Sequence, residues 1–237
     1  MAEFERLENS ALAPLLRLVG TFSDAQRQSA AGCDMFVHCA SQAARPEFYA
    51  ADGGGLDGAR YGQKVQLVGV HCWLCHVRLR EEPKERYDKL FYEMMEKQWE
   101  QVQLDLSRGG PAGLEEGMGF IELSGYLKDL QTGWHGLAVK LDNAIGVGVP
   151  KAADGGEAAA GEAAGGEAAA SETPPPPTMH GALLRNVYAD GDGALPAGAD
   201  AAAHRLAAYV ELQLDHLRSL PADDVLAGRI SWAPWPA

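Results

Sequence analysis

The sequence predicts an all-α fold: a single multi-helix bundle built on a central helical hairpin and interrupted by a disordered Gly/Ala/Glu/Pro-rich insertion. Three observations lead there. Apolar residues recur at helical spacing through residues 65–79, VQLVGVHCWLCHVRL, and again through 81–102, EEPKERYDKLFYEMMEKQWEQV. No stretch sustains the period-two alternation of a half-buried strand, and residues 65–70, rich in β-branched side chains, are the one serious competitor. Residues 151–178 are low-complexity, with no aromatic residue and nothing large enough to bury.

Taken in order, residues 3–19 read as an amphipathic helix that Pro14 kinks or breaks. Ser23 is placed to cap the next helix, with Gln26 completing a capping box. That helix runs to about residue 44, with Ala30, Cys33, Phe36, Val37 and Ala40 turned inward. Residues 46–49 form a short turn carrying two aromatics, and 52–58, DGGGLDG, a flexible loop with no side chains to pack. The helix over 65–79 is buried on most sides, with Trp73 its largest knob. His71, His76 and Arg78 interrupt it too often for a membrane span, which needs about 20 apolar residues. Pro83 marks the start of the second arm, striped by Tyr87, Phe91, Met94, Met95, Trp99 and Val102.

A Gly-rich connector over 109–119 leads to a helix over 120–145. In it Gly125, Gly133 and Gly136 each cost about 1 kcal/mol relative to Ala, which local packing must compensate. After the insertion come one short helix, HGALLRNVY, then a loop over 190–198 and a helix over 202–220. The stripe of that last helix is Leu206, Tyr209, Val210, Leu212, Leu214 and Leu217. Pro221 ends it, and the tail ISWAPWPA lays Trp232 and Trp235 against the body. The domain reading is therefore a helical extension over 1–28, the first part of the helical domain over 29–149, the insertion over 150–178, and the last helices and tail over 179–237.

A formal net charge of −13 disfavours nucleic-acid binding, which draws on clustered Lys and Arg, and leaves the protein peripheral to a membrane at most. Four cysteines in 237 residues do not make a disulfide scaffold. The opening MAEFERLEN shows no import signal, having neither an apolar secretory core nor an Arg- and Ser-rich transit bias.

His71-Cys72-x-x-Cys75-His76 is the one constellation with metal or thiol chemistry in reach, because His71 and Cys75, or Cys72 and His76, share a helical face. A zinc site needs a second ligand pair, and Cys33 with Cys39 is a poor one. Burial of the thiols as small hydrophobes is the preferred reading, and a metal- or thiol-active protein is the alternative. The GGGLDG run lacks the Gly-Lys-Ser/Thr end of a phosphate loop. Asp142 beside Asn143, and Asp223 beside Asp224, read as helix-end groups rather than paired acids. No catalytic residue, metal site or cofactor is expected, and the protein is not expected to be an enzyme.

VHCWLCHVRL, the following helix ending in EMMEKQWEQV, and the late ALLRNVY resemble the ubiquinol–cytochrome c chaperone family, proteins that assist assembly of respiratory complex III. The family's His-x-Trp pattern, Val-Arg pair and near-terminal Trp correspond here to His71, Trp73, Val77, Arg78 and Trp99. PEFYAA before the hairpin, and YVELQLDHLRSL followed by DDVLAGRISWAP, extend the likeness over roughly residues 29–234, apart from the insertion. The chain departs from the family where Leu184 replaces the aromatic before Arg185, and where Leu141-Asp142-Asn143-Ala144 replaces a Tyr-Asp-Glu-Gly segment. The resemblance implies a non-enzymatic chaperone that holds newly made cytochrome b together with a small partner assembly factor. It also implies association with the organellar ribosome near its tunnel exit, on the matrix side of the mitochondrial inner membrane. His71, Trp73, Arg78, Met94, Trp99 and Arg185 are the residues expected to touch client or partner, with Met94, Met95 and the aromatics as adaptable contacts.

Overall fold

The computed structural model describes residues 6–7, 9–11, 13–14, 23–109, 112–147, 178–189 and 193–236. The helix expected over 3–19 lies mainly outside the described residues, as does the insertion expected over 151–178. Among the described residues the fold is all-α, with no strand. Helix α1 spans Asp24–Ala43, α2 Tyr61–Leu79, α3 Lys84–Arg108 and α4 Phe120–Ala144. After residue 178 the chain forms α5, Met179–Leu183, which runs into a wider π-helical turn at Leu184–Tyr188. Helices α6, Ala199–Ser219, and α7, Ala222–Leu226, precede the tail.

Helix α2 lies at the centre, buried on nearly every side. It touches α1, α3, α4, α6 and the π turn, and Leu67, Val70, Cys72 and Leu74 have no exposed surface. The β-branched run 65–70 is helical here, so surrounding helices decide what its local preference leaves open. Pro83 stands as the N-cap of α3 and closes the hairpin. A smaller apolar cluster, Val65, Val102, Leu106, Ala112, Leu123 and Leu130, fills the end of the hairpin beneath α4.

Local signals set the helix ends. Ser23 caps α1, its side chain accepting from the Gln26 N–H at 3.4 Å. The face that α1 buries is rotated from the expected one. Ala31, Gly32, Met35, Cys39, Gln42 and Ala43 point inward, while Val37 is 58% exposed and Ala30, Cys33, Phe36 and Ala40 are half-buried. The reason is close approach: a Cβ at Gly32 would collide with the Leu90 carbonyl of α3, so the small residues, not the larger ones, choose the contact.

The Gly-rich loop over 52–58 is held rather than loose, a second departure from expectation. Leu56 is buried, Tyr188 Oη donates to the Gly54 carbonyl at 2.5 Å, and Arg205 donates to the carbonyls of Gly53 and Ala51 at 2.5 and 2.9 Å. Nor is the tail loose. Gln213 donates to the Ala233 carbonyl and accepts from its N–H, both at 2.9 Å, as a strand would. That clamp turns Gln213 inward and leaves Leu212, expected in the core, 38% exposed. Trp232 and Trp235 lie against the body as expected.

The glycines of α4 split into two kinds. Gly133 faces Gln66, whereas Gly125 and Gly136 have open space around them, so no close packing compensates their cost. Gly125→Ala should therefore stabilise the protein by about 0.5–1 kcal/mol, the helix-propensity gain alone. Gly32→Ala should destabilise it by about 1–3 kcal/mol through overpacking against backbone. Paired denaturant melts check both signs; equal effects at the two sites would remove the close-approach account of α1.

Candidate partner-binding site

Four of the six residues expected to touch a partner lie inside the fold. His71 and Met94 have no exposed surface, and Trp73 and Arg78 retain only a few per cent. Each has a structural job. The His71 Nδ1–H donates to the Leu67 carbonyl at 2.8 Å, since a carbonyl can only accept. Its Nε2 then accepts the Tyr209 hydroxyl at 3.0 Å, and that oxygen accepts from Gln42 Nε2 at 3.1 Å. Burial pushes the imidazole down to about 4, so it is neutral, as this bonding requires.

Around it, Phe48 meets His71, Tyr209 and Trp235 edge-on at 5.3, 5.0 and 5.0 Å, and Trp232 meets His71 edge-on at 5.0 Å. Arg78, expected to touch client or partner, caps the far end of α6. Its Nε donates to the Leu217 carbonyl and its Nη2 to the Leu220 carbonyl, both at 3.1 Å, while Nη1 pairs with Glu82 at 2.9 Å. A guanidinium suits that place because the last carbonyls of a helix lack partners and carry its negative dipole end.

Trp73 forms the floor of an open groove of about 380 Å³ between α3 and α4. Its Nε1–H donates to Asp142 at 2.9 Å, and Arg80 binds the same carboxylate at 2.7 and 3.1 Å. Asp142 is thus a structural anchor. The walls are Phe91, Met95 and half-buried Trp99 from α3, with Trp134, His135 and Val139 from α4. Trp99 and Trp134 meet edge-on at 6.3 Å, and Val139 stands 59% exposed at the rim. His76 stacks on Phe91 at 3.8 Å; burial, then Arg80, lower its imidazole to about 4, so it adds no charge.

The groove is therefore apolar and neutral, closed at one end by a compensated carboxylate. Of the six residues expected to touch client or partner, Trp73 forms the groove floor and Trp99 part of its wall; Arg185 is exposed at the mouth of a separate cleft shared with Arg60, Gln66 and Asn186. Met95, not Met94, faces the opening. Trp134 and Val139 were missed, although Trp134 belongs to the apolar stripe of α4. Further along α4, Phe120 and Ile121 are 82% and 87% exposed at its first turn.

The four donors of His71-Cys72-x-x-Cys75-His76 do not converge. His71 is committed to Tyr209, Cys75 lies 3.6 Å from Cys39 Sγ on α1, and His76 turns to Phe91. Burial raises the Cys39 thiol well above its ordinary range, as expected of a thiol that acts as a small hydrophobe.

Two outcomes follow from these interior residues. Arg78→Ala should cost about 3–5 kcal/mol, the usual loss when one partner of a buried ion pair is removed; a wild-type melt would show the cap to be dispensable. The unfolded chain holds His71 near 6.5 and the fold holds it at about 4, so between those values the unfolded state binds more protons. Stability is full above pH 6.5 and falls as pH drops toward 4, by roughly 3 kcal/mol from His71 alone, with His76 adding in the same direction. Urea melts between pH 7 and pH 5, above most carboxylate titration, test this; a flat profile there would mean that His71 is not buried as the neutral base.

Among the described residues no helix is long and apolar enough to cross a membrane. Comparison with curated proteins and with solved structures gave no match. A model of the family described as ubiquinol-cytochrome C chaperone matches residues 60–154 and 150–232. That match takes in the hairpin, α4 and everything from α5 to Trp232, well over half of the chain, and the protein belongs to the ubiquinol-cytochrome C chaperone family.

Proposed function

We propose that this protein is an assembly chaperone for respiratory complex III whose client is newly made cytochrome b. Family membership over 60–232 carries the reading. The groove between α3 and α4 supports it physically. Polarizable Met95 and the flat faces of Phe91, Trp99 and Trp134 can repack around different apolar side chains of a membrane-protein segment. Its neutral lining avoids burying an unpaired charge against such a client. The role is binding rather than conversion of a substrate.

In the same proposal the chaperone works with a small partner assembly protein on the matrix side of the mitochondrial inner membrane. Association with the organellar ribosome near the tunnel exit would place the groove where cytochrome b emerges, before its apolar segments meet one another. Trp99 is the anchor on the client side. Arg185, exposed beside a second cleft, is assigned to the small partner, where a guanidinium can take a carboxylate or carbonyl.

Loss of the protein in its own organism should leave cytochrome b unstable and complex III depleted; normal accumulation of both would overturn the proposal. Within the protein, Val139→Glu puts a charge on the groove rim at an exposed position. Its melt should stay within about 0.5 kcal/mol of wild type. Capture of cytochrome b should weaken about tenfold or more, the equivalent of 1.4 kcal/mol. Unchanged capture would move the client to another face.

A further inference from the structure

Away from the groove, where the chain resumes after the low-complexity segment, three side chains from two helices meet. His180 comes from α5; Asp200 and His204 come from α6, one turn apart on one face. One ligand atom of each lies within 4.8 Å of the others, and among the described residues this is the one such cluster of three. Asp200 Oδ1 is 3.1 Å from His180 Nε2, and its Oδ2 is 3.9 Å from His204 Nε2. The two imidazole rings lie face to face, centroids 3.6 Å apart and planes within 6°.

His180 Nε2 is shielded from water yet makes no hydrogen bond, so its contact with the carboxylate is off the line such a bond needs. A buried nitrogen of this kind ordinarily finds a partner. Here the neighbouring groups are the Asp200 carboxylate and the stacked His204 ring.

We propose that His180, Asp200 and His204 form a binding site for zinc or a similar first-row divalent ion. Two imidazole nitrogens and a carboxylate oxygen are the donors such ions take, whereas magnesium and calcium favour all-oxygen shells. The present nitrogen–oxygen separations bracket the roughly 3.3 Å edge of a tetrahedron with bonds of about 2 Å. Parallel rings do not aim both lone pairs at one ion, so His204 must swing outward; it is 64% exposed and has room to do so. Three protein ligands leave one coordination position for water or an outside group. The ion would tie α5, the first helix after the low-complexity segment, to the start of α6. This site is distinct from the His71–His76 run, whose donors diverge.

The test uses the full chain made without an affinity tag and stripped with chelator, then titrated with zinc chloride by calorimetry and melted with and without it. About one zinc per chain and a raised melting temperature are expected, with no comparable response to magnesium. His204→Ala and Asp200→Asn, both at exposed positions, should each weaken binding at least about 100-fold, since even outer-shell partners are worth about 10–100-fold. Cobalt(II) should give a spectrum without thiolate charge transfer. Absence of zinc binding, wild-type affinity in either variant, or a thiolate band pointing to Cys39, Cys72 and Cys75 would each overturn the site.

Discussion

The chain of hydrogen bonds from Gln42 through Tyr209 to His71 and on to the Leu67 carbonyl is the constraint on which the bundle depends. Its members come from α1, α2 and α6, and the ring cluster about it adds Phe48 and the tail tryptophans. Apolar burial alone would let these helices slide or rotate, because one hydrophobic contact substitutes readily for another. A buried imidazole, hydroxyl and amide cannot. Each must meet its one partner or lose about 1–3 kcal/mol as an unsatisfied group, so the chain fixes helix register while contributing modest net stability. The neutral state of His71 is part of this constraint, since a protonated ring could not accept from Tyr209.

The same logic operates at the last turn of α2. Arg78 holds the carbonyl end of α6, and Arg80 with Trp73 holds Asp142 of α4. Both arginines leave α2 within one turn and reach opposite neighbours, so α2 sets the positions of α4 and α6 at once. The separation of these partners along the chain matters little, because loop-closure cost grows only with the logarithm of length. A long low-complexity segment between α4 and α5 is therefore compatible with one bundle, and the family match takes in the helices on both sides of it.

The groove follows from this arrangement. Asp142 is neutralised by Arg80, His76 is uncharged, and the space between α3 and α4 is left to aromatic and thioether surface. An acidic protein thereby presents a neutral apolar hollow between α3 and α4. The acidity elsewhere discourages indiscriminate binding to polyanions, and the hollow gives apolar segments a defined place to sit.

What the sequence determined by itself was local. Periodicity located the hairpin, α4 and α6, Ser23 and Pro83 marked helix starts, and the ordered set of His71, Trp73, Arg78 and Trp99 carried the family. These signals are legible because capping and helical spacing act within a few residues. What only the tertiary structure decided was which atoms meet. The burial of Arg78 depends on carbonyls 139 and 142 residues further along. The inward face of α1 depends on the Leu90 backbone it must approach, so a hydrophobicity pattern chose the wrong residues. Gln213 turned inward because the tail offered it a peptide group. The groove joins Trp99 to Trp134 across two helices, and the His180, Asp200 and His204 cluster joins α5 to α6. A sequence assigns each helix its apolar side, but polar pairing and shared clefts arise between helix ends and faces, and packing alone brings those together.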